Sequence, residues 1–104
     1  MVPGNAMAEV FEAHAAALDA AGFGAHRLNA CGYSLGARYA PSWMDPQMFH
    51  AGATTLIEPN MVFFLHMILM DSEAGLAMCW GHSVLVTETG VERLSRHPLD
   101  LVQL

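Results

Sequence analysis

Leu56-Ile57-Glu58-Pro59-Asn60-Met61-Val62-Phe63-Phe64-Leu65-His66-Met67-Ile68-Leu69 joins a polar break at Glu58-Pro59-Asn60 to an almost wholly apolar run in which His66 is the one polar side chain. The run reaches Met70, about half the length needed to span a bilayer, so it reads as a core strand and not as an anchor. Asp71-Ser72-Glu73-Ala74-Gly75 then supplies turn chemistry, and a second β-like segment extends from Leu76 to Thr87. The two strands are expected to form a hairpin. In a strand, alternate residues share a face, so His66 goes with Phe64 and Ile68, and His82 goes with Trp80 and Val84.

Upstream of this hairpin, Thr54 to Ile57 reads as a further short strand, and Ala37 to Gly52 as a long irregular loop carrying Pro41, Trp43, Pro46 and Phe49. The glycine-rich HRLNACGYSLGARYAPSW suits a short strand and a loop where backbone approaches something closely. Residues 5 to 21 read as one helix, with Asn5 as N-cap, Glu9 and Glu12 near its positive end and Gly22 just past its last turn. Met7, Val10, Phe11, His14 and Leu18 form its apolar stripe, which needs a sheet or helix to cover it. Downstream, GVERLSRHPLDLV reads as a turn, a short helical piece and a closing extended segment. The fold class expected from this order is α+β, an N-terminal helix packed on a curved antiparallel sheet.

At 104 residues the chain is expected to be a single domain or part of one. Charged residues make up only 13% against about 25% in a typical globular domain, so some apolar surface is expected to meet further protein. Arg27, Arg38, Arg93 and Arg96 are the only cations and the net charge is −6, which disfavours nucleic acid and anionic membrane as partners. No basic and apolar leader opens the sequence, and a cytoplasmic location is expected. Cys31 and Cys79 form no paired motif and are read as two buried free thiols.

Four landmarks follow one another in a set order: Gly32-Tyr33-Ser34-Leu35-Gly36, then Glu58-Pro59-Asn60-Met61-Val62, then Ser83 to Gly90, then Glu92-Arg93-Leu94-Ser95. The series resembles the second half of the pita-bread hydrolases, the creatinase, prolidase and aminopeptidase P superfamily, where G-H-x-x-G, E-P-G/N-M-x-F and E-D-x-x-L-V-T-E-x-G-x-E-x-L-T/S segments succeed each other. The resemblance implies a partial pita-bread fold in which residues 1–104 are the C-terminal part of a catalytic domain, incomplete and inactive alone. It also implies a homodimeric parent that hydrolyses C–N bonds in small amides or dipeptide-like substrates, near the ectoine-hydrolase and Xaa-Pro peptidase branch. The other reading is a non-catalytic pita-bread domain that binds a peptide or protein partner.

Metal-dependent members hold two divalent ions (Mn, Co, Zn or Fe) with aspartate, histidine and glutamate ligands that activate a shared water. Here the aspartate motifs are absent, Tyr33 replaces the histidine of G-H-x-x-G, and Gly81, beside His82, falls where the second glutamate belongs. Glu58 matches the first glutamate and is the one candidate metal ligand. The ligand set is therefore degraded, and creatinase shows the same scaffold working without metal through histidine and glutamate side chains. G-Y-S-x-G also occurs in ectoine-hydrolase-like and prolidase-like relatives, which makes Tyr33 a subfamily feature.

Each candidate carries two readings. Glu58 is a cleft carboxylate or a solvated turn residue, and the motif match favours the cleft. Tyr33, His82 and His66 are the candidate catalytic residues: Tyr33 either packs or donates to a substrate carbonyl, and each histidine is either a satisfied structural residue or part of the pocket. His26, His50 and His97 read as surface, loop and turn residues, and Cys79 as core. Trp43, Met44, Met48 and Phe49 form a cluster that is either a lid over the pocket or a subunit contact. The expectation common to all of these is that Glu58 and Tyr33 open on one concave face of the sheet.

Overall fold

The computed structural model describes residues 1–36 and 38–100. Helix α1 (Met7–Ala20) is followed by strands β1 (Gly32–Leu35), β2 (Met44–Met48), β3 (Val62–Asp71), β4 (Leu76–Val86) and β5 (Val91–Arg93). The strands form one antiparallel sheet in the order β2-β1-β3-β4-β5.

The expected hairpin is the centre of that sheet. Asp71 Oδ1 accepts hydrogen bonds from the Glu73 and Ala74 amides, at 3.1 and 2.9 Å, and Gly75 supplies the positive φ that closes the turn. The turn sets Asp71 opposite Leu76, and the ladder runs unbroken from there to Val62 opposite Leu85. Opposed residues point to the same side of an antiparallel pair. Phe63 and Val84 therefore turn together toward α1, where they join Met7, Phe11, Ala15, Cys31, Phe49, Ala53, Ile57 and Val86 in the core. Phe49 and Phe63 meet edge to face with centroids 4.9 Å apart.

Helix α1 buries Met7, Phe11 and Ala15, while Val10, His14 and Leu18 are half-buried at the margins of the expected stripe. Its N-cap is Ala6, one residue later than expected. Asn5 donates from its side chain to the Glu9 carboxylate, which also accepts from the Ala6 amide at 2.9 Å. The next two free amides, Met7 and Ala8, donate to the carbonyls of Thr55 and Ala53 at 2.9 and 3.0 Å. Residues 54 to 57 are therefore no strand: their backbone serves the helix start, with Leu56 bridging only to Ala6. At the other end Gly22 takes φ +85°, and the Phe23 amide reaches back to Leu18 O at 2.8 Å, closing the helix as a Schellman motif.

The stretch expected as a loop from Ala37 to Gly52 contains β2, an edge strand that carries Pro46 where the missing amide costs no ladder bond. The expected helical piece in the tail is absent among the described residues. The chain turns at Thr87 and Gly90 and returns as β5, with Leu94 N bonded to Ser83 O. The end of the expected closing segment lies outside the described residues.

Gly32 is held where β1 crosses closest to β3: a Cβ there would lie 2.6 Å from Phe64 O and 3.1 Å from Leu65 Cα. Gly32→Ala is expected to lower the unfolding free energy by about 1–3 kcal/mol in urea titrations. Gly90→Ala, whose Cβ meets nothing within 4 Å, is the control, with a cost under about 0.5 kcal/mol. A second expectation concerns acid. Burial, with the Arg27 charge adding, holds the His14 imidazole below its ordinary 6.5, against an opposing pull from Asp19. The unfolded chain then takes up this proton first, so stability is complete above that value and is lost as pH falls through it toward the lower folded one. His14→Phe should flatten the fall in melting temperature between about pH 7 and 5.

Candidate active site

The face of the sheet turned away from α1 is set by the same register. Tyr33 on β1 opposes Phe64, and His66 opposes Gly81, so these four positions stand on one side. Ring centroids lie 5.7 Å apart for Tyr33 and Phe64, 5.1 Å for Phe64 and His66, and 6.0 Å for Tyr33 and His66. Tyr33 is buried and His66 half-buried. The Tyr33 hydroxyl oxygen accepts from Trp43 Nε1 at 3.2 Å, which leaves the phenolic O–H free to donate to another group.

Trp43 thus folds over the site face from the segment before β2, while Phe49 points the other way into the core. The expected cluster of Trp43, Met44, Met48 and Phe49 is divided between two environments.

His66 Nε2 lies 2.7 Å from Cys79 Sγ. Cys79 is exposed, contrary to the expectation of a core thiol. Cys31 is the buried one, with no accessible surface, and burial pushes its thiol up to about 11.

His82 opposes Leu65 and so faces α1, on the far side of the sheet from Tyr33 and His66. It packs edge to face on Trp80 at 5.3 Å, and its Nε2 is buried without a hydrogen-bond partner. Glu58 is exposed in the turn that leads into β3. Its carbonyl accepts from the Met61 amide at 3.3 Å, its own amide points to Met61 Sδ at 3.4 Å, and Asn60 takes φ +71°. No described hydrogen bond or ion pair connects Glu58 with Tyr33 or His66. Of the four candidates, Tyr33 and His66 come together. His26 lies 3.9 Å from Asp71, His50 Nδ1 accepts from Gly52 N, and His97 is exposed. A hollow of about 700 Å³ beside Ser34, Arg38, Asp45 and Asn60 is lined by none of the four candidates.

A pair of divalent ions needs several oxygen or imidazole ligands converging on one point. Among the described residues no three or more of His, Cys, Asp and Glu are so grouped. At position 81 a Cβ would lie 2.5 Å from Phe64 Cζ and 2.8 Å from Leu65 O, so the Phe64 ring fills the space a carboxylate would need. With a phenol at 33 as well, the side chains of this chain do not fit a dinuclear centre. They form an aromatic wall around an imidazole and a thiol.

Residues 1–88 match the model of metallopeptidase family M24. The chain belongs to that family. Its sequence is 36% identical over 102 residues to the ectoine hydrolase of Halomonas elongata, covering 95% of this chain and 24% of that protein. The backbone superposes on the Xaa-Pro dipeptidase from Bacillus anthracis with a TM-score of 0.87 at 17% identity, over 100% of this chain and 28% of the other. The dipeptidase PepE from Mycobacterium ulcerans gives 0.84 at 21% identity, over 95% and 25% of the two chains. These likenesses establish a partial pita-bread fold, and the chain spans about a quarter of the length of the proteins it matches. No helix among the described residues is long and apolar enough to cross a membrane.

The Trp43–Tyr33 bond links the β2 edge to the site. A double-mutant cycle of Trp43→Phe and Tyr33→Phe, read by urea denaturation, should return a coupling of about 0.5–1.5 kcal/mol. Additive effects would mean that the bond does not form in solution.

Proposed function

We propose that this chain is the C-terminal part of the catalytic domain of a larger hydrolase that cleaves C–N bonds in small amides or dipeptide-like molecules. The observation that carries the reading is the convergence of Tyr33 and His66 on the sheet face opposite the core. In this reading His66 takes a proton from the attacking group and returns it to the leaving nitrogen, the ordinary work of a neutral imidazole. Tyr33, its oxygen already engaged by Trp43, donates its hydroxyl proton to the substrate carbonyl oxygen. His82 has no part in this step, because it faces α1, and Glu58, exposed in its turn with no described bond to either residue, is given no role in it. The 36% identity to an ectoine hydrolase makes ectoine the first substrate to try.

The same reading has the whole protein as a cytoplasmic homodimer. Exposed Met70, Leu76, Met78 and Trp80 along the hairpin support the view that further polypeptide covers part of this surface. With about a quarter of its relatives' length present, the chain alone is expected to cleave none of these amides or dipeptides.

The test is complementation. The chain is mixed with the upstream three quarters of the H. elongata ectoine hydrolase, and product release is followed for ectoine, simple amides and a dipeptide panel, with and without chelator. Activity is expected only in the mixture, falling about 100-fold or more with His66→Gln and about 10-fold with Tyr33→Phe. Calorimetry on the chain alone should show no stoichiometric binding of Mn, Co, Zn or Fe ions. Association with dipeptide binding but no turnover would favour the non-catalytic peptide-binding domain instead.

A further inference from the structure

The contact between His66 Nε2 and Cys79 Sγ belongs to neither the family motifs nor the hydrolytic reading above. The two residues come from neighbouring strands, one ladder step apart on the diagonal: His66 opposes Gly81, and Cys79 precedes Gly81 by two residues on the same face. Because position 81 has no side chain, nothing on β4 screens the imidazole from the thiol. The Phe64 ring fills that gap and walls one side of the pair, with Tyr33 beyond it. The other side is open, for Cys79 is exposed. A thiol in direct contact with an imidazole, flanked by aromatic carbon and facing solvent, has the makings of an activated nucleophile.

We propose that Cys79 and His66 form a nucleophile–base dyad that accepts acyl groups from small esters or thioesters. The Cys79 proton passes to His66 Nε2 as the sulfur attacks the carbonyl carbon. The S–C bond forms, the bond from that carbon to the leaving oxygen or sulfur breaks, and His66 gives the proton to the leaving group. Water then attacks the thioester carbon, His66 takes a proton from the water, and the C–S bond breaks to release the acid. The returning proton goes back to the sulfur, so the dyad is restored and no oxidant or reductant is consumed. The dyad shares His66 with the C–N hydrolase reading but needs only this chain, and its readout, acylation and alkylation of Cys79, is separate from amide turnover.

The test uses the 104-residue chain, p-nitrophenyl acetate and iodoacetamide at pH 7, with sites read by peptide mass spectrometry. A free cysteine is only a few per cent ionised at that pH, and the gain from transferring its proton is partly offset by lower intrinsic nucleophilicity. Cys79 is therefore expected to react about tenfold or more faster than N-acetylcysteine. Buried Cys31 should stay unlabelled and serves as the internal measure that the fold is intact. One acetyl group per chain should appear on Cys79 in a burst, and Cys79→Ser should abolish it. His66→Gln should slow both reactions about tenfold while Cys31 remains protected. Should that variant unfold and expose Cys31, the comparison of wild-type Cys79 with N-acetylcysteine decides by itself. Equal rates for Cys79 and N-acetylcysteine, or for wild type and a folded His66→Gln, would overturn the proposal.

Discussion

The antiparallel ladder between β3 and β4 is the constraint on which the rest of the molecule depends. Its register is set by the Asp71 side chain, which holds two turn amides and so makes Asp71 and Leu76 the first opposed pair. Strand side chains alternate, so a slip of one residue would exchange the faces of the whole strand. Phe63 would leave the core for the site, and His66 would be driven against α1. Core and site are the two sides of one register, and neither can be altered without the other.

Two glycines show how the site face came to have its chemistry. Gly32 lets β1 approach β3 closely enough to bring Tyr33 beside Phe64, and Gly81 yields its side-chain space to the Phe64 ring. An aromatic ring on the neighbouring strand occupies the volume a side chain at 81 would need, a pairing that compensates a strand glycine for its missing packing. The consequence is a face poor in anionic oxygen and rich in aromatic carbon, where an imidazole and a phenol keep company with a thiol. A family scaffold associated with metal ions here presents a surface on which proton transfer is the chemistry its own side chains can perform.

Much of this could be read from the residues. The hairpin, the α+β order, the Gly22 helix end and the alternation of His66 with Phe64 all follow from local turn chemistry and period-2 patterning, which act within a few residues. The pairing of His66 with Cys79 was within reach too. A turn that opposes Asp71 to Leu76 also opposes His66 to Gly81, leaving Cys79 on the imidazole's face and His82 on the other. Strand β2 was hidden by Pro41 and Pro46, since an edge position excuses a proline that a central strand would not. The segment 54 to 57 has strand-like composition, yet its backbone is bonded to residues 4 to 7 around the helix start, Thr55 O accepting from Met7 N and Ile57 O from Gly4 N.

From the sequence alone came the family resemblance, the helix, the central hairpin and the two faces of its strands, because these depend on residue order and on dihedral preferences that each residue carries with it. Only the tertiary structure could show that Tyr33 meets His66 and Trp43 and that Glu58 stays in an exposed turn. Those outcomes rest on the strand order β2-β1-β3-β4-β5 and on how closely the backbones approach. Both are settled by packing between segments remote in the chain, which no local pattern specifies.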